Sequence, residues 1–176
     1  MKADKKYYKK KFIGITGDCF RLSLANYFLE ISDEAMAQQV YDDYLQHPYV
    51  GNNGQAGLAV ATKIVSDLTN NKYFATAHVD DLDRKVKNIS DPKNVAFAGH
   101  EKLKTMKEEL DKGRYSKGFS NADAQPPYII MESYLEFNHA ALYLGENKYV
   151  NDGHLKRRNL EPTTMYGIIN IEKNDN

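Results

Sequence analysis

The sequence changes its period at Tyr128, and that switch constrains the fold more than any other feature of the chain. Before it, apolar residues recur at steps of three and four; after it, short alternating runs are divided by turn residues. "YIIMESYLEF", "HAALYLG", "KYVNDG" and "YGIINIEK" read as four strands, with Gly145-Glu146-Asn147 as the tight turn between the middle two. Helices first and strands last predict an α+β fold, with N-terminal helices packed on a C-terminal antiparallel sheet. A doubly wound parallel sheet would alternate the two element types instead.

In the first half, "FRLSLANYFLEI" places Phe20, Leu24, Tyr27, Phe28 and Ile31 on one helical stripe. Gly17 and Asp18 serve as turn and cap, which puts Cys19 on the first turn. A second helix is expected behind Ser32 as N-cap, with Ala35 at its third position, running to His47-Pro48. "GNNGQAG" forms a turn, and "LAVATKIVSDLT" a third helix that Asn70 and Asn71 end. "KYFATAHV" alternates as a strand does, and "DDLDRKVKNISDPKN" reads as surface connection. "HEKLKTMKEELDKG" is a helix with Leu103, Met106 and Leu110 on one side and Gly113 as its stop, and "RYSKGFSNADAQPP" is irregular.

A chain of 176 residues is most simply one domain, here residues 12–172 behind a basic leader, residues 1–11. Six of the first eleven residues are lysine, and the leader reads as a solvated, frayed arm. The 24 basic residues balance 24 acidic ones, which argues against nucleic acid as a partner, the leader excepted. No apolar run approaches the ~20 residues of a membrane span, and Thr16, Asp18 and Arg21 break the run that a signal peptide would need. A single cysteine fits a reducing compartment, so a cytoplasmic location is expected.

Cys19 is where chemistry is expected. The first turn of a helix presents unpaired backbone N–H groups at the positive end of the dipole. Such a site favours a thiolate nucleophile and can also receive the oxygen that turns negative when a carbonyl is attacked. Asp18 opposes the first effect unless its carboxylate points away. A lone cysteine is by itself more often a buried small hydrophobe. The far end of the chain tips the balance: "FNHAALYLGENKYVND" folds into a hairpin that brings His139 to the same end as Asn151 and Asp152. Nucleophile, base and orienter are then complete by role.

In these features the chain resembles the papain-like cysteine peptidase superfamily, and most of all its bacteriocin-processing, peptidase-C39-like branch. There a "DC" pair opens the first helix, as Asp18-Cys19 does here, and a late histidine strand precedes a strand ending in Asp, as with His139 and Asp152. "GQAGLAVATKIV", "KYFATAHV" and "LKTMKEELDKG" before "PPYIIMES" keep the same order. The resemblance covers most of residues 12–171 and is one of order and spacing. It implies a papain-like fold and a cysteine peptidase or related amide-bond hydrolase acting on a peptide or protein. Cys19 would be the nucleophile, His139 the base and then acid, and Asp152 the orienter, with Asn151 the alternative. Thr16, Gly17 and Asp18 would form the oxyanion loop, and the reaction would need neither metal nor cofactor.

The chain departs from that branch at Ile13, where a Gln is usual, and at Phe20, where a Gly is usual. "TGDCFR" also resembles the cysteine loop of the ovarian-tumour deubiquitinases, although Thr16 stands in place of their aspartate. Cell-wall endopeptidases share a pattern like "HAALYLGENKYV" but keep their cysteine and histidine closer together. A non-catalytic peptide- or protein-binding module on the same scaffold is the alternative from another class. "GNNGQAG" lacks the Lys-Ser/Thr ending of a phosphate loop. His47, His78, His100 and His154 have no metal-ligand spacing, and "HVDDLD" lacks the glycine and distal Glu of a calcium loop.

Overall fold

The computed structural model describes residues 7–10, 18–51, 54–93, 100–119, 123–133, 138–159 and 164–175. Its helices are α1 (Cys19–Glu30), α2 (Glu34–Asp43), α3 (Ala61–Leu68), α4 (Leu82–Ser90) and α5 (His100–Asp111). The strands are β1 (Tyr73–Val79), β2 (Tyr115–Lys117), β3 (Tyr128–Ser133), β4 (Asn138–Gly145), β5 (Lys148–Asn151), β6 (His154–Arg157) and β7 (Met165–Lys173). All seven strands belong to one sheet in the order β2-β1-β7-β3-β4-β5-β6. Among the described residues only the β1–β2 pair is parallel. The class is α+β, with β1 and β2 added to the sheet that the later strands build.

The core explains the layering. β1 alternates buried and half-buried residues, so Tyr73, Ala75, Ala77 and Val79 face the helices. They join Leu24, Phe28, Val40, Tyr44, Ile64, Ile129, Leu142 and Ile169 in one apolar cluster. Each of the Val, Leu, Ile and Phe side chains among them contributes about 2 kcal/mol when taken fully out of water. A second cluster on Ile130, Ala141, Tyr149 and Ile168, with Tyr128 and Tyr143 against it, is built from the intervening strand positions. Among the described residues no helix is long and apolar enough to cross a membrane.

Helix α1 departs from the single stripe the sequence predicts. It lies against α2 and β4, with β3 and β5 alongside, and residues 22–28 are all buried, Ser23 and Asn26 included, while Ile31 is exposed. Ser32 is not the cap of α2: it sits at φ 65 in the connecting turn, and Asp33 caps instead, its carboxylate accepting from Met36 N–H. Asn70 and Asn71 do end the α3 region, both with positive φ.

Three stretches not read as helix or strand from the sequence are structured: an expected surface connection, an expected irregular segment and a segment without an expectation. "LDRKVKNIS" forms α4, because Leu82 and Val86 follow helical spacing and meet the core amid a dense charge pattern. Tyr115–Lys117 forms β2, a three-residue edge strand too short to show a period. His154–Arg157 forms β6 at the opposite edge, wholly exposed and therefore without hydrophobic alternation.

The described part of the leader, residues 7–10, is not a frayed arm. Residues 7–10 lie along α1, with Tyr8 N–H donating to Asn26 Oδ1 at 2.8 Å and Asn26 Nδ2 donating back to Tyr8 O at 3.0 Å. Tyr8 stacks on Tyr41 with ring centres 4.4 Å apart.

Candidate active site

Cys19 opens α1 and is only partly buried. Packing of α1 on β4 brings it to the start of that strand, where Ala140 N–H points at Sγ from 3.4 Å. The first i→i−4 bond of the helix runs from Leu22 N–H to Asp18 O at 3.0 Å. The N–H groups of Cys19, Phe20 and Arg21 precede that bond and belong to the first-turn donors that a helix leaves unpaired internally.

His139 stands next to Ala140 and hydrogen-bonds both to Cys19 and to Asn151. Its Nε2 lies 2.5 Å from Asn151 Oδ1, which leaves Nδ1 as the nitrogen for sulfur. An amide oxygen cannot donate, so this contact places a proton on Nε2. Burial is the largest influence on the imidazole and pushes its pKa down. The hydrogen bond and charge of Cys19, the hydrogen bond of Asn151 and the charge of Asp152 together outweigh it and hold His139 above its ordinary value.

The sequence reading puts Asp152 first as orienter and Asn151 second; the structure gives the hydrogen bond to Asn151, while Asp152 acts on His139 through its charge. The reason is a β-bulge. Gly145 pairs with Lys148, but the register shifts between Tyr143 and Gly145, so Tyr143 faces Tyr149 and Leu142 faces Val150. One further step puts Asn151 opposite Ala141, on the same side of the hairpin as His139. An unbroken register would have put Asp152 there. Asp152 instead turns away from the strand at φ 50.

Of the expected oxyanion loop, Thr16 and Gly17 lie outside the described residues, as does Ile13. Asp18 holds the N-cap position of α1, yet its side chain makes no capping bond. It is drawn to Arg21, Nη1 to Oδ1 at 3.5 Å, and the pair is nearly buried. Arg21 is itself fixed by two bonds to Tyr41 O, at 3.0 and 2.8 Å, and by its place over the Tyr41 ring. The charge that would oppose a thiolate thus has a cation beside it.

Two tyrosines near the sulfur escaped the sequence reading. Burial, and after it the charge of Cys19, push the Tyr166 phenol up to about 12. Burial, Cys19 and Asp18 push Tyr44 up as well, with Arg21 opposing, and its hydroxyl donates to Gly54 O at 3.0 Å. Tyr44 is a core residue and Tyr166 a partly buried one packed against the core, so no local signal distinguishes them.

Of the other histidines, His47 is tied to Asp67 and His78 lies on β1, while His154 pairs with Asn151 across the β5–β6 ladder. Comparison with protein-family models, with curated proteins and with solved structures finds no match.

Proposed function

We propose that the protein is a cysteine peptidase or related amide-bond hydrolase on a papain-like scaffold, using Cys19, His139 and Asn151. The single observation that carries the reading is that one imidazole bonds the helix-opening thiol and the Asn151 side chain at once. These three residues come from α1, β4 and β5, separated in sequence and joined only by the fold.

Cys19 sulfur attacks the carbonyl carbon of the substrate amide, and the carbonyl oxygen becomes an oxyanion facing the first-turn N–H groups of α1. The His139 imidazolium gives its proton to the leaving nitrogen, the C–N bond breaks and an amine departs, leaving a thioester on sulfur. Water then attacks the thioester with neutral His139 as base. The acid leaves and the thiolate–imidazolium pair returns. Asn151 Oδ1 holds the Nε2 proton throughout and keeps Nδ1 towards sulfur.

Alkylation by iodoacetamide across pH tests this directly. The expected outcome is a Cys19 rate that stays high below pH 7 and collapses in His139→Ala. A profile that follows an ordinary thiol, unchanged by that substitution, would leave a non-catalytic module on the same scaffold. A short peptide probe against a ubiquitin-based probe then separates a general peptidase from a deubiquitinase.

A further inference from the structure

Residues 7–10 touch the turn that carries Asn151 and reach Asp18 beside Cys19 through Tyr41 and Arg21, and from this we infer that they form a positioning strap for the Cys19–His139–Asn151 relay. The inference rests on the hydrolase reading above.

At the orienter end, Lys10 N–H donates to Asp152 O at 3.3 Å, one residue beyond Asn151. Gly153 admits the strap only because it has no side chain. A Cβ there would stand 2.2 Å from Tyr8 O and 2.6 Å from Lys9 Cα, and φ is +88°. The turn that carries Asn151 therefore has backbone laid directly on it. At the nucleophile end, Tyr8 stacks on Tyr41, Tyr41 O accepts from Arg21, and Arg21 holds the Asp18 carboxylate beside Cys19.

Between the two ends the strap is pinned to α1. Asn26, 1% exposed, spends its side chain on both the N–H and the C=O of Tyr8. It lies two helical turns beyond Cys19, so the same rigid helix carries the nucleophile and the strap's anchor. Tyr7 adds a bond from its hydroxyl to Glu30 Oε2 at 3.1 Å. A buried amide matched to one residue's backbone is costly to leave unpaired, which fixes the strap in register. The strap donates nothing to the reacting atoms; it sets how the turn of residues 151–153 sits relative to α1.

The test uses full-length chains: wild type, Gly153→Ala, Tyr8→Ala, Tyr8→Phe, and Gly57→Ala as a control glycine with open space around it. Folding is checked by circular dichroism. Cys19 alkylation is followed from pH 5 to 9, and His139 is titrated by NMR. Expected are folded Gly153→Ala and Tyr8→Ala chains whose acid-side alkylation falls about tenfold, the equivalent of one unit of pKa. The His139 titration shifts with it, while Tyr8→Phe and Gly57→Ala match wild type. If Gly153→Ala fails to fold, Tyr8→Ala decides. Folded variants with an unmoved pH profile would overturn the strap alone. A wild type that already behaves as an ordinary thiol would overturn the hydrolase reading and the strap's role with it.

Discussion

His47 and His139 look alike at first: each ring bonds a side-chain oxygen through Nε2, to Asp67 Oδ2 at 2.8 Å and to Asn151 Oδ1 at 2.5 Å. They differ at the other nitrogen. Nδ1 of His47 accepts the Tyr49 N–H at 3.1 Å, so both nitrogens are spent on holding the turn after α2 to α3. Lys63 completes that cluster on Asp67 at 2.7 Å, and no thiol takes part. His139 instead has Cys19 as a partner beside Asn151. A histidine–oxygen pair is thus a strut or a relay according to what the remaining nitrogen meets.

The largest effect expected from that contrast comes from deleting each ring in turn. His139→Ala lowers alkylation of Cys19 below pH 7 by about 100-fold or more. His47→Ala leaves the rate within about twofold but destabilises the fold by about 1–3 kcal/mol, because Asp67 and the Tyr49 N–H lose their partner. Rates and melting temperatures on both variants check this, and equal losses of reactivity would break the comparison.

Next in size is the orienter. Asn151→Ala lowers reactivity about tenfold, and Asp152→Asn changes it by less than about threefold, since only a charge acting at a distance is lost. The reverse ranking would return the role to Asp152. Cys19→Ala sharpens the picture further. It removes the two leading influences that oppose burial at His139, so the imidazole titration moves down, which NMR reads directly.

The smallest effect is the pH dependence of stability. His139 has a folded pKa above its ordinary value, so its contribution is complete below the unfolded pKa and is lost as pH rises through the folded one. His78 is held low by burial, with Glu172 opposing, so its contribution is present above the unfolded pKa and is lost as pH falls through the folded one. Alanine at each position should therefore flatten opposite limbs of a melting-temperature profile.

Much of this was legible in the chain because the signals are local. The Asp18-Cys19 opening, the stripe behind it and the Gly145 turn each declare themselves within a few residues, and they place Cys19 on α1 and His139 on β4 as expected. What stayed hidden depends on contacts between distant segments. Leu82 and Val86 were masked by the charges around them, and the exposed strand β6 carries no alternation to read. The order in the leader comes from Asn26, Tyr41 and Gly153, none of which marks residues 7–10 as a binding partner. The choice between Asn151 and Asp152 hung on one extra residue in a ladder, which composition cannot reveal.

That irregular pairing at Gly145 makes the strand register a chemical selector. Closing the bulge at unchanged loop length, so that Leu144 paired with Tyr149, would bring a carboxylate, in place of a carboxamide, to the position opposite Ala141 without altering either side chain. The two registers would then differ in their response to acid.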